Sequence, residues 1–210
     1  MPFLSMLLPI ALAAQATPPV PGLCSATPPA DPDAAGCYLS AELPIDAAPA
    51  RLYWHIYRFP DAASAKAAAV RQRWATIVSA HRQTWLYVMT SEATPPIADG
   101  RRGVAGPFAV AAGKPIVARF MQSVFPPGMK TRVHRHSGPE AFYVVHGQQC
   151  METPTERRMI EAGNTYVVAA GPHLQAAPRG RRNLVLILAP AGAPWMALDE
   201  SWQPSAFCDG

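Results

Sequence analysis

From Lys114 onward, short apolar runs alternate with turn signals, and this rhythm limits the folds open to the chain. IVARFMQSVF is followed by PPGM, EAFYVV by HGQ, TYVVAA by GPH, and NLVLILA by PAGAP. Runs of this length, rich in Val, Ile, Phe and Tyr and bounded by Gly and Pro, are too short for core helices and read as strands. Turns recurring every roughly 8–12 residues predict an all-β sandwich or small barrel. The 24 prolines and 14 glycines among 210 residues favour the same reading over a helical bundle. Half of the residues are hydrophobic and 15% are charged, so the chain can bury a core and wholesale disorder is excluded. The formal net charge is only +4 and the basic residues are scattered, which argues against a nucleic-acid partner. No internal repeat, heptad run or glycine-rich phosphate loop is visible.

The first sixteen residues, MPFLSMLLPIALAAQA, carry no charged side chain. The apolar run from Phe3 to Ala14 is too short for a membrane-spanning helix, which needs roughly 20 residues. Ala14-Gln15-Ala16 has the small-x-small pattern of a cleavage site, with Ala11-Leu12-Ala13 as a second choice. Residues 1–16 therefore read as a signal peptide, although the usual basic residue near the start is missing. The expectation is a soluble protein, periplasmic or secreted, with no membrane partner. Export permits disulfides among Cys24, Cys37, Cys150 and Cys208. Of the three connectivities, Cys24–Cys37 with Cys150–Cys208 is preferred: the first closes a short Pro-rich loop and the second ties down the C-terminal tail. No C-x-x-C spacing suggests a zinc site.

Residues 17–50, rich in Pro, Ala and Asp, read as an extended arm. Arg51–Phe59 has strand character, and Pro60-Asp61 ends it. Ala63, Ala67, Val70, Trp74, Ile77 and Val78 recur at helical spacing, predicting a helix over 62–80. Thr84–Thr90 is again strand-like, and 94–113 reads as a Pro/Gly-rich connection. Residues 51–113 are thus a β-α-β extension and linker, 114–195 the barrel and 196–210 a tail.

Within the barrel, His134 and His136 flank a single residue, so on a strand both imidazoles point to one side. Glu140 follows after the Ser137-Gly138-Pro139 bend, and the even positions Phe142 and Val144 would line the same interior. A His pair and a carboxylate converging in an apolar barrel suit a divalent transition metal, which also supplies the partner a buried carboxylate needs. His173, after the turn Ala170-Gly171-Pro172, is placed to arrive from a neighbouring strand. Two surface histidines beside Arg132 and Arg135 are the alternative.

The whole stretch Gly128-MKTRV-His134-Arg135-His136-SGP-Glu140-AFYVVH-Gly147 resembles the first motif of the cupin superfamily, G-x5-H-x-H-x3-E-x6-G, at every fixed position. The second motif is looser. Gly163 begins it, but Ala169 stands where proline is usual, His173 comes one residue early and the terminal Asn is absent. The resemblance implies a mainly β fold, a double-stranded β-helix or jelly roll, preceded here by the β-α-β extension. It implies one divalent metal ion per chain held by His134, His136, Glu140 and His173. Nitrogen and oxygen donors without thiolates suit Fe, Mn, Ni or Co and tolerate Zn.

Such a centre is expected to act on a small-molecule substrate by oxidoreductase (dioxygenase) or lyase chemistry. Glu140 is the expected catalytic base by resemblance, and Tyr143 is a further catalytic candidate as a hydrogen-bond or proton donor, with Tyr166 beside it. The competing class is a non-catalytic periplasmic protein that binds or senses a small ligand or metal, its barrel plugged by the 17–50 arm. Sheet-edge pairing, common in similar proteins, makes a homodimer the default assembly. His55, His81 and His146 read as packing, capping and exposed residues, and Arg179-Gly180-Arg181-Arg182 as a solvated basic turn with anion binding as its minority reading.

Overall fold

The thirteen-residue strand Glu140–Glu152 is long enough to belong to two sheets, and the rest of the barrel is arranged along it. The computed structural model describes residues 24–25, 29 and 31–209, so the signal-peptide reading of 1–16 lies outside the described residues. In chain order the strands are β1 (Cys24–Ser25), β2 (Gly36–Ile45), β3 (Arg51–Phe59), β4 (Ala75–Ala80), β5 (Gln83–Thr90), β6 (Arg101–Ala109), β7 (Ile116–Phe125) and β8 (Met129–Lys130). They continue with β9 (His134–Arg135), β10 (Glu140–Glu152), β11 (Arg157–Glu161), β12 (Thr165–Val168), β13 (Leu174–Ala177), β14 (Arg181–Pro190) and β15 (Ala197–Leu198). One helix, α1 (Ala62–Ala69), lies between β3 and β4.

The larger sheet runs β1-β2-β7-β14-β10-β13-β8, with β11 and β12 also paired to β10. The first half of β10 pairs with β14 and β12, and its second half with β11 and β13. The change of sheet coincides with a register shift between Val144 and His146 and with Gly147 at φ 74°. A Cβ on Gly147 would stand 2.1 Å from the Gly180 carbonyl oxygen, so both the backbone angle and the close approach require glycine here. The sheet curls back on itself as the expected jelly roll. Its interior holds Met121, Phe142, Val144, Met151, Val185 and Ile187, the inward residues of alternating strands.

The N-terminal region departs from the sequence reading in three places. Residues 17–50 are not merely an arm: Gly36–Ile45 is a strand that extends the barrel sheet antiparallel to β7. The helix stops at Ala69, and Ala75–Ala80, read as its second half, is β4. Thr76, Ile77 and Val78 are β-branched, and the same apolar positions satisfy strand alternation once β5 is available to pair. The 94–113 connection contains β6, which pairs with β3 and was hidden by Gly103, Gly106 and Pro107. The extension is thus a four-stranded antiparallel sheet, β4-β5-β3-β6, rather than a plain β-α-β unit. Asp61 caps α1 as expected, accepting the Ser64 amide at 2.7 Å.

This second sheet lies against the outer face of the barrel. Trp54, Trp85, Tyr87 and Phe108 from it meet Phe120, Tyr143, Leu184 and Leu186 from the barrel strands in one buried cluster. Trp54 and Tyr87 meet edge to face at 5.2 Å, and Tyr87 lies 4.8 Å from Phe120.

Both expected disulfides are present. Cys24–Cys37 closes 13 residues of sequence separation and Cys150–Cys208 closes 58. The C-terminal residues are also held by Glu152, whose buried carboxylate accepts the amides of Ser205 at 2.7 Å and Cys208 at 2.9 Å. Because the cost of closing a loop in the unfolded chain grows with its length, replacing Cys150 and Cys208 together by Ala is expected to lower stability by roughly 2–4 kcal/mol. Urea unfolding of the oxidised protein and the variant measures it; equal midpoints would mean that Glu152 alone secures the tail.

Candidate metal centre

The four residues singled out by spacing converge. One ligand atom from each of His134, His136, Glu140 and His173 lies within 4.8 Å of the others, and all four side chains are buried. Glu140 opens β10 and points inward with Phe142 and Val144. His134 lies on β9, between two partners: it exchanges backbone hydrogen bonds with His173 at 3.1 and 2.9 Å, and its other neighbour is Leu198 of β15. The shifted spacing of His173 therefore does not displace it, because the bridge to His134 sets its register directly.

Each imidazole is oriented by a backbone carbonyl. Nδ1 of His134 donates to Arg132 O at 2.9 Å, Nδ1 of His136 to Trp195 O at 2.7 Å and Nδ1 of His173 to Gly171 O at 3.1 Å. A carbonyl can only accept, so each Nδ1 carries the proton and each Nε2 presents a lone pair. Nε2 of His136 and His173 are buried without a hydrogen-bond partner, and they stand 3.5 and 3.0 Å from Glu140 Oε2. Unpartnered lone pairs facing a buried carboxylate are a poor arrangement for the protein alone and a good one around a cation. The residues present fit a divalent metal ion.

The electrostatics agree for His134. Burial pushes it down to about 3, so its imidazole stays neutral. Burial also disfavours charge on His136, but the adjacent Glu140 carboxylate outweighs it and raises its pKa. Burial would raise Glu140 too, yet His136 and His173 hold it well below the usual carboxylate range.

The structure adds residues that the sequence reading missed. Gln175 Nε2 is 3.2 Å from both Glu140 oxygens. Its Oε1 accepts from Arg181 at 3.1 Å, and Arg181 also donates to Ser123 Oγ. Gln175 sits two residues beyond His173, so strand alternation could have placed it on the same face. Arg181 is not a solvated turn residue: it is 2% exposed, with its guanidinium 3.8 Å from the centre of the Phe125 ring. Arg182 beside it does face outward, to Asp33. Trp195 stacks on His136 with ring centres 6.2 Å apart.

Tyr143 is not brought to the site. It is one residue out of phase with Glu140 and packs outward against Trp85, with ring centres 6.1 Å apart. Tyr166 hydrogen-bonds Glu156 at 2.5 Å, away from the four ligands. His55 pairs with Thr90 and the Glu92 carbonyl, His81 with the Asn183 carbonyl, and His146 is exposed.

The cluster borders a cavity with about 10 Å³ open to the centre of a water-sized sphere, room for about one water molecule. Trp195 and Met196, just ahead of β15, form part of its wall, and Cys24 and Cys37 also line the cavity.

No family model and no curated protein matches this chain. Solved structures do match. A cupin superfamily protein from Desulfitobacterium hafniense is 12% identical at a TM-score of 0.33, covering 39% of this chain and 73% of its own. The DMSP lyase DddQ from Ruegeria pomeroyi is 18% identical at 0.35, covering 39% of this chain. A salicylate 1,2-dioxygenase from Pseudoaminobacter salicylatoxidans, in adducts with gentisate, is 17% identical at 0.31, covering 36% of this chain. This chain spans 42% of the lyase and 24% of the dioxygenase.

The folded pKa of His134 lies below the unfolded value of 6.5, so between the two the unfolded chain holds a proton that the folded chain lacks. In metal-free protein this contribution is full above 6.5 and is lost as pH falls towards 3. Glu140, also depressed, acts in the same direction below 4.5, whereas His136, raised, acts in the opposite one. His134→Gln is therefore expected to flatten the pH dependence of the urea midpoint across this window, by up to about one proton. Parallel curves for the two proteins would place His134 in solvent.

Proposed function

We propose that this chain is a metal-binding jelly-roll protein whose His134, His136, Glu140 and His173 hold one divalent transition-metal ion, and that it acts as a metalloenzyme on a small molecule. The observation that carries the reading is the orientation of the imidazoles: three separate backbone carbonyls hold the Nδ1 protons and leave the Nε2 lone pairs facing Glu140. Bound there, an ion of the Fe, Mn, Ni, Co or Zn group supplies a Lewis-acidic centre for oxygen-bearing ligands, and with Fe or Mn a redox-active one.

The chain's own residues do the rest. Gln175 holds the Glu140 carboxylate in place, and the stacked Trp195 keeps water from His136. A carboxylate kept ionised by neighbouring imidazoles is a better ligand than base, so Glu140 is assigned first to the metal. The class of reaction proposed is oxidoreductase or lyase chemistry.

Two disulfides suit an oxidising environment outside the cytoplasm, and periplasmic or secreted location is part of the proposal. Among the described residues no helix is long and apolar enough to cross a membrane. A second reading, a non-catalytic metal or small-ligand binder, is favoured by the small cavity and its Trp195 wall.

Metal analysis of protein purified from the periplasm without chelator, by mass spectrometry, is expected to give about one equivalent per chain. Replacing His134 and His136 together with Ala removes half of the donors and is expected to abolish stoichiometric metal while circular dichroism still reports a folded barrel. One equivalent retained in that variant would sink the assignment. Bound metal without turnover of any organic-acid or aromatic substrate would favour the binder.

A further inference from the structure

Arg181 lies in the same cavity wall as His134, His136 and Glu140, and the metal assignment alone gives it no task. A fully buried guanidinium is costly unless a carboxylate answers it. Arg181 has no carboxylate partner: its terminal nitrogens donate to the neutral Ser123 and Gln175, and its Nε is buried without a partner. Its aromatic neighbour Phe125 covers one face but offers no charge. Burial lowers its pKa to about 9, which leaves it cationic at neutral pH.

The charges around the cavity do not balance once the metal is counted. Glu140 and Arg181 are the carboxylate and the guanidinium that line it, and they cancel. The neutral imidazoles add nothing, so a divalent ion leaves a buried net charge of about +2. A neutral water does not offset that charge, whereas an anionic ligand does.

We propose that the site takes a small carboxylate-bearing molecule, its carboxylate lying between the four-ligand cluster and the guanidinium of Arg181; this rests on the metal reading above. The planar fork of Arg181 matches the two oxygens of a carboxylate. Arg181 is then a substrate-binding residue, and Gln175 links it to the metal-ligating Glu140. The remainder of the molecule leaves the cavity past Trp195 and Met196, which line it just ahead of β15.

The test uses the full chain loaded with Co(II), whose visible absorption reports changes at the metal, and formate as the probe. Wild-type protein is expected to bind about one Co(II) and to change its spectrum saturably with formate. Arg181→Met keeps the packing on Phe125 and removes the charge; it is expected to retain Co(II) and to bind formate at least tenfold more weakly. Arg181→Lys, a point charge without the fork, should fall between the two, and it carries the test if the Met variant does not fold. Unchanged formate affinity in a variant that holds one Co(II) overturns the proposal and leaves the metal reading standing. So does a variant whose Co(II) affinity falls while its formate affinity, read at saturating Co(II), is unchanged, since Arg181 would then only position Gln175. A wild-type Co(II) protein whose spectrum ignores formate overturns it as well. Failure of the wild-type protein to bind Co(II) removes the metal reading itself, and the proposal with it.

Discussion

A single strand that must pair in two directions sets the geometry of this protein. Strand β10 hydrogen-bonds β14 and β12 along its first half and β11 and β13 along its second. It can do so only if it bends, and the bend is made where Gly147 lies against the Gly180 carbonyl. The curl brings β13 across from the start of β10. Gln175 and His173 then face Glu140 although 35 and 33 positions separate them in the chain, and Gln175 hydrogen-bonds its carboxylate.

The interior made in this way is polar at one end and apolar along the rest. Phe142, Val144, Val185 and Ile187 fill the apolar part. At the polar end, Glu140, Gln175, Arg181 and Ser123 are bonded in series. Such a network is expensive to bury, and it is stable where every member has a partner. Around this end, His136 Nε2, His173 Nε2 and Arg181 Nε are left without a hydrogen-bond partner, and His136 and Arg181 line the same cavity. The tail is part of this arrangement: Trp195 orients His136, β15 pairs with the His134 strand, and the buried Asp199 holds Arg135 at 2.8 Å.

The N-terminal sheet acts through the opposite face. Ala141 and Tyr143 alternate with Glu140 and Phe142, so one face of β10 lines the interior while the other is apolar and needs cover. Trp54, Trp85 and Tyr87 supply it. The hairpin tip at His81 and Arg82, both with positive φ, reaches the barrel as well, through the Gln122 side chain and the Asn183 carbonyl. The extension is therefore a second layer of the same core.

What could be read from the chain itself was what short-range rules control. Strand alternation put His134 and His136 on one side and Phe142 and Val144 behind Glu140, and turn residues marked where the barrel strands end. Of the three pairings open to the cysteines, the preferred one is present. Tyr143 was assigned to the site because its hydroxyl suits the chemistry, yet the same alternation, applied strictly, puts it on the outer face. Ala75–Ala80 and Arg101–Ala109 became strands because β5 and β3 were there to pair with them, and pairing partners are not visible in a local pattern. Arg181 and Arg182 are adjacent in the chain and opposite in the fold, one beside Glu140 and the other out at Asp33. Periodicity and spacing act within a segment, and so the sequence by itself determined most of the barrel strands and the four candidate ligands. The place of the tail over His136 and the burial of Arg181 depend on which segments meet, and only the closed barrel decides that.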